Sequence, residues 1–266
     1  MNTTFARSVD EAVAALAASV AAGAKPLVVG GGTLCVPALV RGGPAATDIV
    51  DLGRAGLDTL AGGPVVELGA LVSYQQLITS PEVRAGLPML HRMASGITGG
   101  IQIRHQGTLV GALCAARPQS DALAVLVALD AEVVVRSVAG TRIVRAGRFL
   151  TGPAAPDLAP DELVTGLRIS LRPRGTAYIK HKFAESSWPV VTAAAAAGRV
   201  VLGGVAGTPQ VVPVPAGAAV RAAVADHLAA LPAEQRWADL RAPWEYRRRV
   251  APEIAARAVE LAEEAS

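Results

Sequence analysis

Three consecutive glycines, Gly30, Gly31 and Gly32, followed by Thr33, stand directly after the apolar run Leu27, Val28 and Val29. A strand that runs into such a triplet must turn sharply. Residues without a Cβ reach positive φ at little cost and let another backbone or a ligand approach closely. A second glycine cluster, Gly96, Gly99 and Gly100, leads into the segment 103–111, which carries Gly107 and Gly111. Successive backbone N–H groups in such turns bind phosphate oxygens without a basic side chain, and two turns suit a pyrophosphate. The first spacing is neither G-x-G-x-x-G nor G-x-x-x-x-G-K-S/T, so a tight structural turn stands beside that reading.

The pattern around these turns is mixed. Ser8 and Glu11 have capping-box spacing, and Val9, Val13, Leu16 and Val20 recur at helical intervals, predicting a helix over about 9–22. Strands are expected at 27–29 and, after the turn-prone Gly42, Gly43 and Pro44, at 49–52. A glycine-rich break at 61–64 opens a second unit with a strand at 65–68 and a helix entered through Ser73, with Gln76 at capping-box spacing. A helix over 81–94, a turn over 103–111, a helix over 121–129, a hairpin of 132–137 with 141–144 and a strand at 163–169 follow. Pro173 and Gly175 mark a boundary, beyond which strands at 177–183, 190–197 and 200–205 precede helices over about 216–230 and 243–264. The expected class is α+β: two α/β subdomains, about 1–60 and 61–173, and a small C-terminal antiparallel sheet with helices over 174–266.

Composition narrows the chemistry. Apolar residues make up 52% of the chain, yet no run of about 18 strongly apolar residues occurs, so no membrane span is expected. Asp10 and Glu11 interrupt the one signal-like stretch, and a cytoplasmic protein is expected. The only cysteines, Cys35 and Cys114, exclude a disulfide framework and a four-thiolate iron–sulfur cluster built from this chain alone, and read as small buried apolar residues. A formal charge of +3 with 3% aromatics argues against a base-stacking nucleic-acid surface. Arg247, Arg248 and Arg249 read as the solvated face of a C-terminal helix. His91, His105, His181 and His227 are too scattered for a metal site, and neither Ser73 nor Ser187 lies in a nucleophile elbow. No metal, catalytic acid, base or nucleophile is expected.

Seven strings, in the same order along the chain, resemble one family. VVGGGTL at 28–34 is similar to the AGG-x-S-L loop, and IRHQGTLVGALCAARPQSDALAVLVALDAEV at 103–133 to the I-R-N-x-G-T-I-G-G-N segment, of the FAD-binding medium subunits of molybdenum hydroxylases, such as carbon monoxide and xanthine dehydrogenases. ELGALVSYQQL at 67–77, GTRIV at 140–144, YIKHKF at 178–183 with LGGVAGTP at 202–209, and WEYRRRVAPEIAARAVELA at 244–262 extend the resemblance over nearly the whole chain. It implies a non-covalent FAD between the two turns. Val29, Gly30, Gly31, Gly32, Thr33 and Leu34 fall on the first cofactor loop, and Thr108, Gly111 and Asp121 on the second and the helix after it.

The resemblance further implies an electron-transfer subunit that works with an iron–sulfur small subunit and a molybdopterin-containing large subunit. A stand-alone flavoenzyme acting on a small molecule, and a scaffold that has lost FAD, are the alternatives. Asp121 would accept a hydrogen bond from the cofactor or act only as a helix N-terminal carboxylate. Lys180 and Lys182 read as solvated strand charges, with a place near the flavin ring as the alternative. The chain departs from the pattern at Val110 and Ala112, where T-I-G-G-N has Gly and Asn, and at Gly32 and Arg117. Arg117 replaces a small hydroxyl residue and reads as a phosphate contact, a block to the ribose site or a surface arginine.

Overall fold

A computed structural model describes residues 2–43, 45–172, 174–215 and 217–266. The turn residue Pro44, the boundary residue Pro173 and position 216, where a helix was expected to begin, lie outside them. Strand β1 (Asn2–Phe5), helix α1 (Val9–Ala21), β2 (Pro26–Val29), the short α2 (Cys35–Val40) and β3 (Asp48–Asp51) come first. They form a three-stranded parallel sheet in the order β1-β3-β2. The strand at residues 2–5 carries no alternation and escaped the sequence reading; its four side chains are all exposed. Ser8 caps α1 by accepting from Glu11 N–H, while the Glu11 carboxylate accepts from Arg7 rather than Ser8, a capping box shifted by one residue. Ala12, Val13 and Leu16 of α1 are buried, and Ser19 Oγ donates to Asp48 at the edge of β3.

The next stretch holds β4 (Leu60–Ala61), β5 (Val65–Gly69), α3 (Tyr74–Thr79), α4 (Pro81–Gly86), α5 (Pro88–Ser95), α6 (Gly100–Gln106), α7 (Leu109–Ala115) and α8 (Asp121–Ala128). It continues through β6 (Glu132–Ser137), β7 (Gly140–Arg145), α9 (Ala146–Phe149), β8 (Leu150–Gly152), β9 (Ala155–Pro156) and β10 (Leu163–Ser170). The main sheet is antiparallel, order β4-β5-β10-β6-β7. The expected capping box at Ser73 and Gln76 is complete. The single helix expected over 81–94 is two, because a residue before proline is driven out of the helical region, and Leu87 leaves it at φ −137°, ψ 58° before Pro88.

The last part contains β11 (Thr176–His181), β12 (Val191–Ala196), β13 (Arg199–Gly203), β14 (Gln210–Pro213), α10 (Val220–Ala229) and α11 (Trp244–Glu264), with β11 to β14 an antiparallel meander. Every residue of β12 is buried. Alternation along the strand sends Ala194 and Ala196 into the core built around α8, and Ala193 and Ala195 into the core built around α10 and α11. Alanines meet them from the helix side: Ala251, Ala255, Ala258 and Ala262 of α11 are buried, so small residues on both surfaces bring helix and sheet into close packing.

One expectation fails outright in this part. Arg247 is not on the solvated face of α11 but fully buried. Its guanidinium donates to the carbonyls of Val190, Gly204 and Ala242 and pairs with Asp239 at 2.6 Å, so each of its three nitrogens has a local acceptor. Arg248 and Arg249 remain exposed; Arg248 pairs with Glu245, and Arg249 lies over the Tyr246 ring.

Candidate functional site

A cavity of about 520 Å³ opens between the β2–α2 turn, the α6–α7 segment and the loop joining β11 to β12, a size that small-molecule sites share. The first wall is the glycine turn. A Cβ at Gly31 would lie 1.7 Å from the carbonyl oxygen of Gln106, so this turn touches the end of α6 backbone to backbone. Gly32 holds φ at +70°, the left-handed region that a side chain disfavours. Among the described residues, the N–H groups of Gly31, Gly32, Thr33 and Leu34 meet no backbone acceptor. Four donors are left for a ligand on the cavity wall.

The second wall is not the turn expected over 103–111. Residues 100–106 and 109–115 are helical, and only Gly107 and Thr108 make the bend between them. The bend is fixed by polar contacts: Thr108 Oγ1 accepts from Gly111 N–H at 3.0 Å, and Gly107 C=O accepts from Tyr74 N–H at 3.1 Å. Val110 and Ala112 line the cavity but are 5% and 8% exposed, packed into the main core.

Asp121 opens α8 and is 6% exposed. Its Oδ1 accepts from Tyr178 Oη and from Lys180 Nζ, each at 2.7 Å, and Lys180 also donates to Gly96 C=O. Lys180 is therefore not a solvated strand charge but a buried partner that ties β11 to α8. Asp121 Oδ2 has no protein donor among the described residues, and the residue lines the cavity. Burial, and then the Asp121 charge, push the Tyr178 hydroxyl well above its ordinary value and raise Tyr74 in the same way, so both rings stay neutral donors. On the far side Glu162 receives two hydrogen bonds from Arg142, both 2.7 Å, and these hold its carboxyl below the usual value.

Of the sequence-predicted site residues, Gly30, Gly31, Gly32, Thr33, Leu34, Thr108, Gly111 and Asp121 line this one cavity. Val29 does not. Strand alternation turns it inward, its carbonyl accepts from Leu52 N–H, and Val28 lines the cavity in its place. Cys35 and Cys114 are half-buried and line the cavity, Cys114 packing against the main core, and burial raises both thiols, that of Cys114 up to about 12. Tyr74, Glu162 and Trp188 also line it, and sequence reasoning missed all three. Only tertiary packing brings them there. A tryptophan in a chain with 3% aromatics was the one visible hint.

Residues 1–171 match the family model described as the FAD binding domain in molybdopterin dehydrogenase. Over 202 residues the chain is 32% identical to the carbon monoxide dehydrogenase medium chain of Afipia carboxidovorans, an alignment covering 74% of this chain and 68% of that one. Over 104 residues it is 36% identical to the glyceraldehyde dehydrogenase medium chain of Sulfolobus acidocaldarius, covering 39% of this chain and only 37% of that one. The chain thus spans little more than a third of that relative in sequence. In structure it superposes on a chain of the reconstituted CO dehydrogenase from Oligotropha carboxidovorans with a TM-score of 0.87 at 28% identity, covering 100% of this chain and 97% of that one. The parallel sheet, antiparallel sheet and C-terminal sheet with helices are common to both. With a match that covers well over half its length, the chain belongs to the FAD-binding domain family of molybdopterin dehydrogenases.

Proposed function

We propose that this chain is the FAD-carrying medium subunit of a molybdenum hydroxylase-type dehydrogenase and works as an electron-transfer subunit in the cytoplasm. The observation that supports this most directly is the set of four unpartnered backbone N–H groups on the cavity wall, held against the second segment at Gln106. Those donors, on Gly31, Gly32, Thr33 and Leu34, bind the pyrophosphate; Thr108 and Gly111 hold the bend opposite, and Asp121 accepts from the cofactor through Oδ2. Val29 contributes only by carrying the strand into the turn. FAD held by these residues would supply the redox chemistry for passing electrons from iron–sulfur centres of a small subunit to an external acceptor.

The chain's own residues bind and orient. Val110, Ala112 and Tyr74 exclude water from the wall, and the neutral Tyr178 fixes Asp121 in one rotamer. Substrate oxidation belongs to a separate molybdopterin-containing subunit. The division into residues 1–173 for the cofactor and 174–266 as a C-terminal domain is part of the same proposal. Its test is the visible spectrum of the purified chain before and after incubation with FAD, with heat-released cofactor identified. Flavin bands with intact FAD, and co-purification of iron- and molybdenum-containing partners from the native host, support it. Substrate-dependent flavin reduction by the chain alone would replace the subunit reading with a stand-alone enzyme. A chain that stays colourless after reconstitution would overturn the flavoprotein reading.

A further inference from the structure

Three charged side chains line the cavity: Asp121, Glu162 and Arg117. Two of them are neutralised inside the protein, Asp121 by Lys180 at 2.7 Å and Glu162 by Arg142 at 2.7 Å. Arg117 differs. Among the described residues its guanidinium has no carboxylate partner, and its neighbour is the Trp188 ring, with 5.9 Å from the guanidinium carbon to the ring centroid. Both residues line the cavity, Arg117 from the turn before α8 and Trp188 from the loop between β11 and β12. A half-buried guanidinium has five N–H donors to satisfy, and a ring face interacts with its charge without consuming any of them. The cavity therefore carries one uncompensated positive charge whose donors are unspent, on a planar fork suited to two phosphate oxygens.

We propose that Arg117, oriented by Trp188, is an anion-recognition residue of this cavity and binds a phosphate group. Resting on the FAD reading above, it assigns to one side chain a contact that the backbone donors of the first turn do not supply. The phosphate comes either from the flavin dinucleotide itself or from a second, phosphate-bearing ligand such as a nucleotide electron acceptor. The trade at position 117, a small hydroxyl for a guanidinium, then adds charge recognition to the wall where an Asn amide is lost at Ala112.

The experiment measures equilibrium binding of FAD by flavin fluorescence, and of ADP by calorimetry, to the full chain and to Arg117→Gln, Arg117→Lys and Trp188→Leu. If the phosphate belongs to the cofactor, Arg117→Gln weakens FAD by about tenfold or more, as loss of a charge-assisted hydrogen bond does. Arg117→Lys restores part of the loss, and the salt dependence of FAD binding shrinks in Arg117→Gln. Trp188→Leu gives a smaller loss, since it frees the guanidinium without removing it. If the phosphate belongs to a second ligand, FAD binding is unchanged, while ADP binding to the FAD-loaded chain falls by a similar factor in Arg117→Gln. Equal affinities of wild type and Arg117→Gln for both ligands, at low and high salt, overturn the assignment. The FAD reading fails separately: wild type then binds no FAD, and the ADP titration of the apo chain still decides the role of Arg117, an affinity unaffected by Arg117→Gln sinking it.

Discussion

Gly31 and Val110 line the same cavity from two different segments, and each segment reads as glycine-rich in the sequence. At Gly31 the absence of a side chain is a geometric necessity, because a Cβ would overlap the Gln106 carbonyl at 1.7 Å. At Val110 a side chain is present in place of the glycine that the family resemblance led one to expect, and it is buried in the core on α7. The first wall is backbone laid on backbone. The second is a pair of short helices whose bend is held by the Thr108 side chain and the Tyr74 backbone N–H, next to Asp121 with its partners Lys180 and Tyr178. Substitution is thus forbidden at one wall and absorbed by packing at the other.

The sharpest way to break this contrast is Gly31→Ala. A single methyl there must separate the turn from α6, so FAD retention through gel filtration is expected to be lost altogether, with any folded protein less stable by about 3 kcal/mol or more. Gly32→Ala is the control. Its nearest atom is the flexible Val36 side chain at 3.1 Å, which leaves mainly the cost of positive φ, about 1–2 kcal/mol. Equal behaviour of the two variants in thermal unfolding and flavin content would show that the close approach at Gln106 does not set the first wall.

The second wall is tested at Asp121→Asn, which leaves Lys180, 11% exposed, without its countercharge. Breaking one side of a buried pair costs about 3–5 kcal/mol, measured here by urea unfolding. The double variant Asp121→Asn with Lys180→Met is expected to recover a good part of that loss, whereas two independent effects would add. Val110→Gly is expected to cost less, about 2 kcal/mol, from lost burial and from glycine inside a helix. It should leave FAD affinity within about threefold, since a shift of less than 1 kcal/mol in binding is smaller than one hydrogen bond. A large gain in affinity would mean that Val110 obstructs the site rather than packing its wall.

This contrast also explains what could be read in advance. The glycine triplet after an apolar strand, the capping box at Ser73 and the apolar, Val- and Ile-bearing strands at 132–137 and 163–169 are local patterns, and each falls close to where the structure has it. The bend at 107–108 is hard to place because the glycines around it read as one continuous turn, although Leu109 and Leu113 have helical spacing just after it. Arg247 escaped because its acceptors, Val190, Gly204 and Asp239, come from three separate segments that no local window contains. Trp188 and Glu162 reach the cavity for the same reason, through loops whose positions depend on the packing of whole sheets. Lys180 was visible as a strand residue; its burial depended on α8 crossing the C-terminal sheet.

The smallest effect is expected at Glu162, whose pair with Arg142 lets the cavity's two ion pairs be compared against burial. The Glu162 and Arg142 side chains are 16% and 36% exposed, against 7% and 11% for Asp121 and Lys180. Hydrogen bonds from Arg142 lower the Glu162 pKa from its ordinary 4.5, so the folded state favours the carboxylate. A depressed folded-state pKa gives stabilisation that is complete above the unfolded value and disappears as pH falls through the folded one. Glu162→Gln should therefore cost about 1 kcal/mol at pH 7, in keeping with a pair that stays partly solvated and is screened by salt. The gap between variant and wild type should hold steady down to about pH 5 and close as the pH drops below 4.5. Urea unfolding at a series of pH values reads both. A loss at pH 7 as large as that of Asp121→Asn, unaltered in acid, would mean that Glu162 holds the wall by packing alone and that burial does not grade the two pairs.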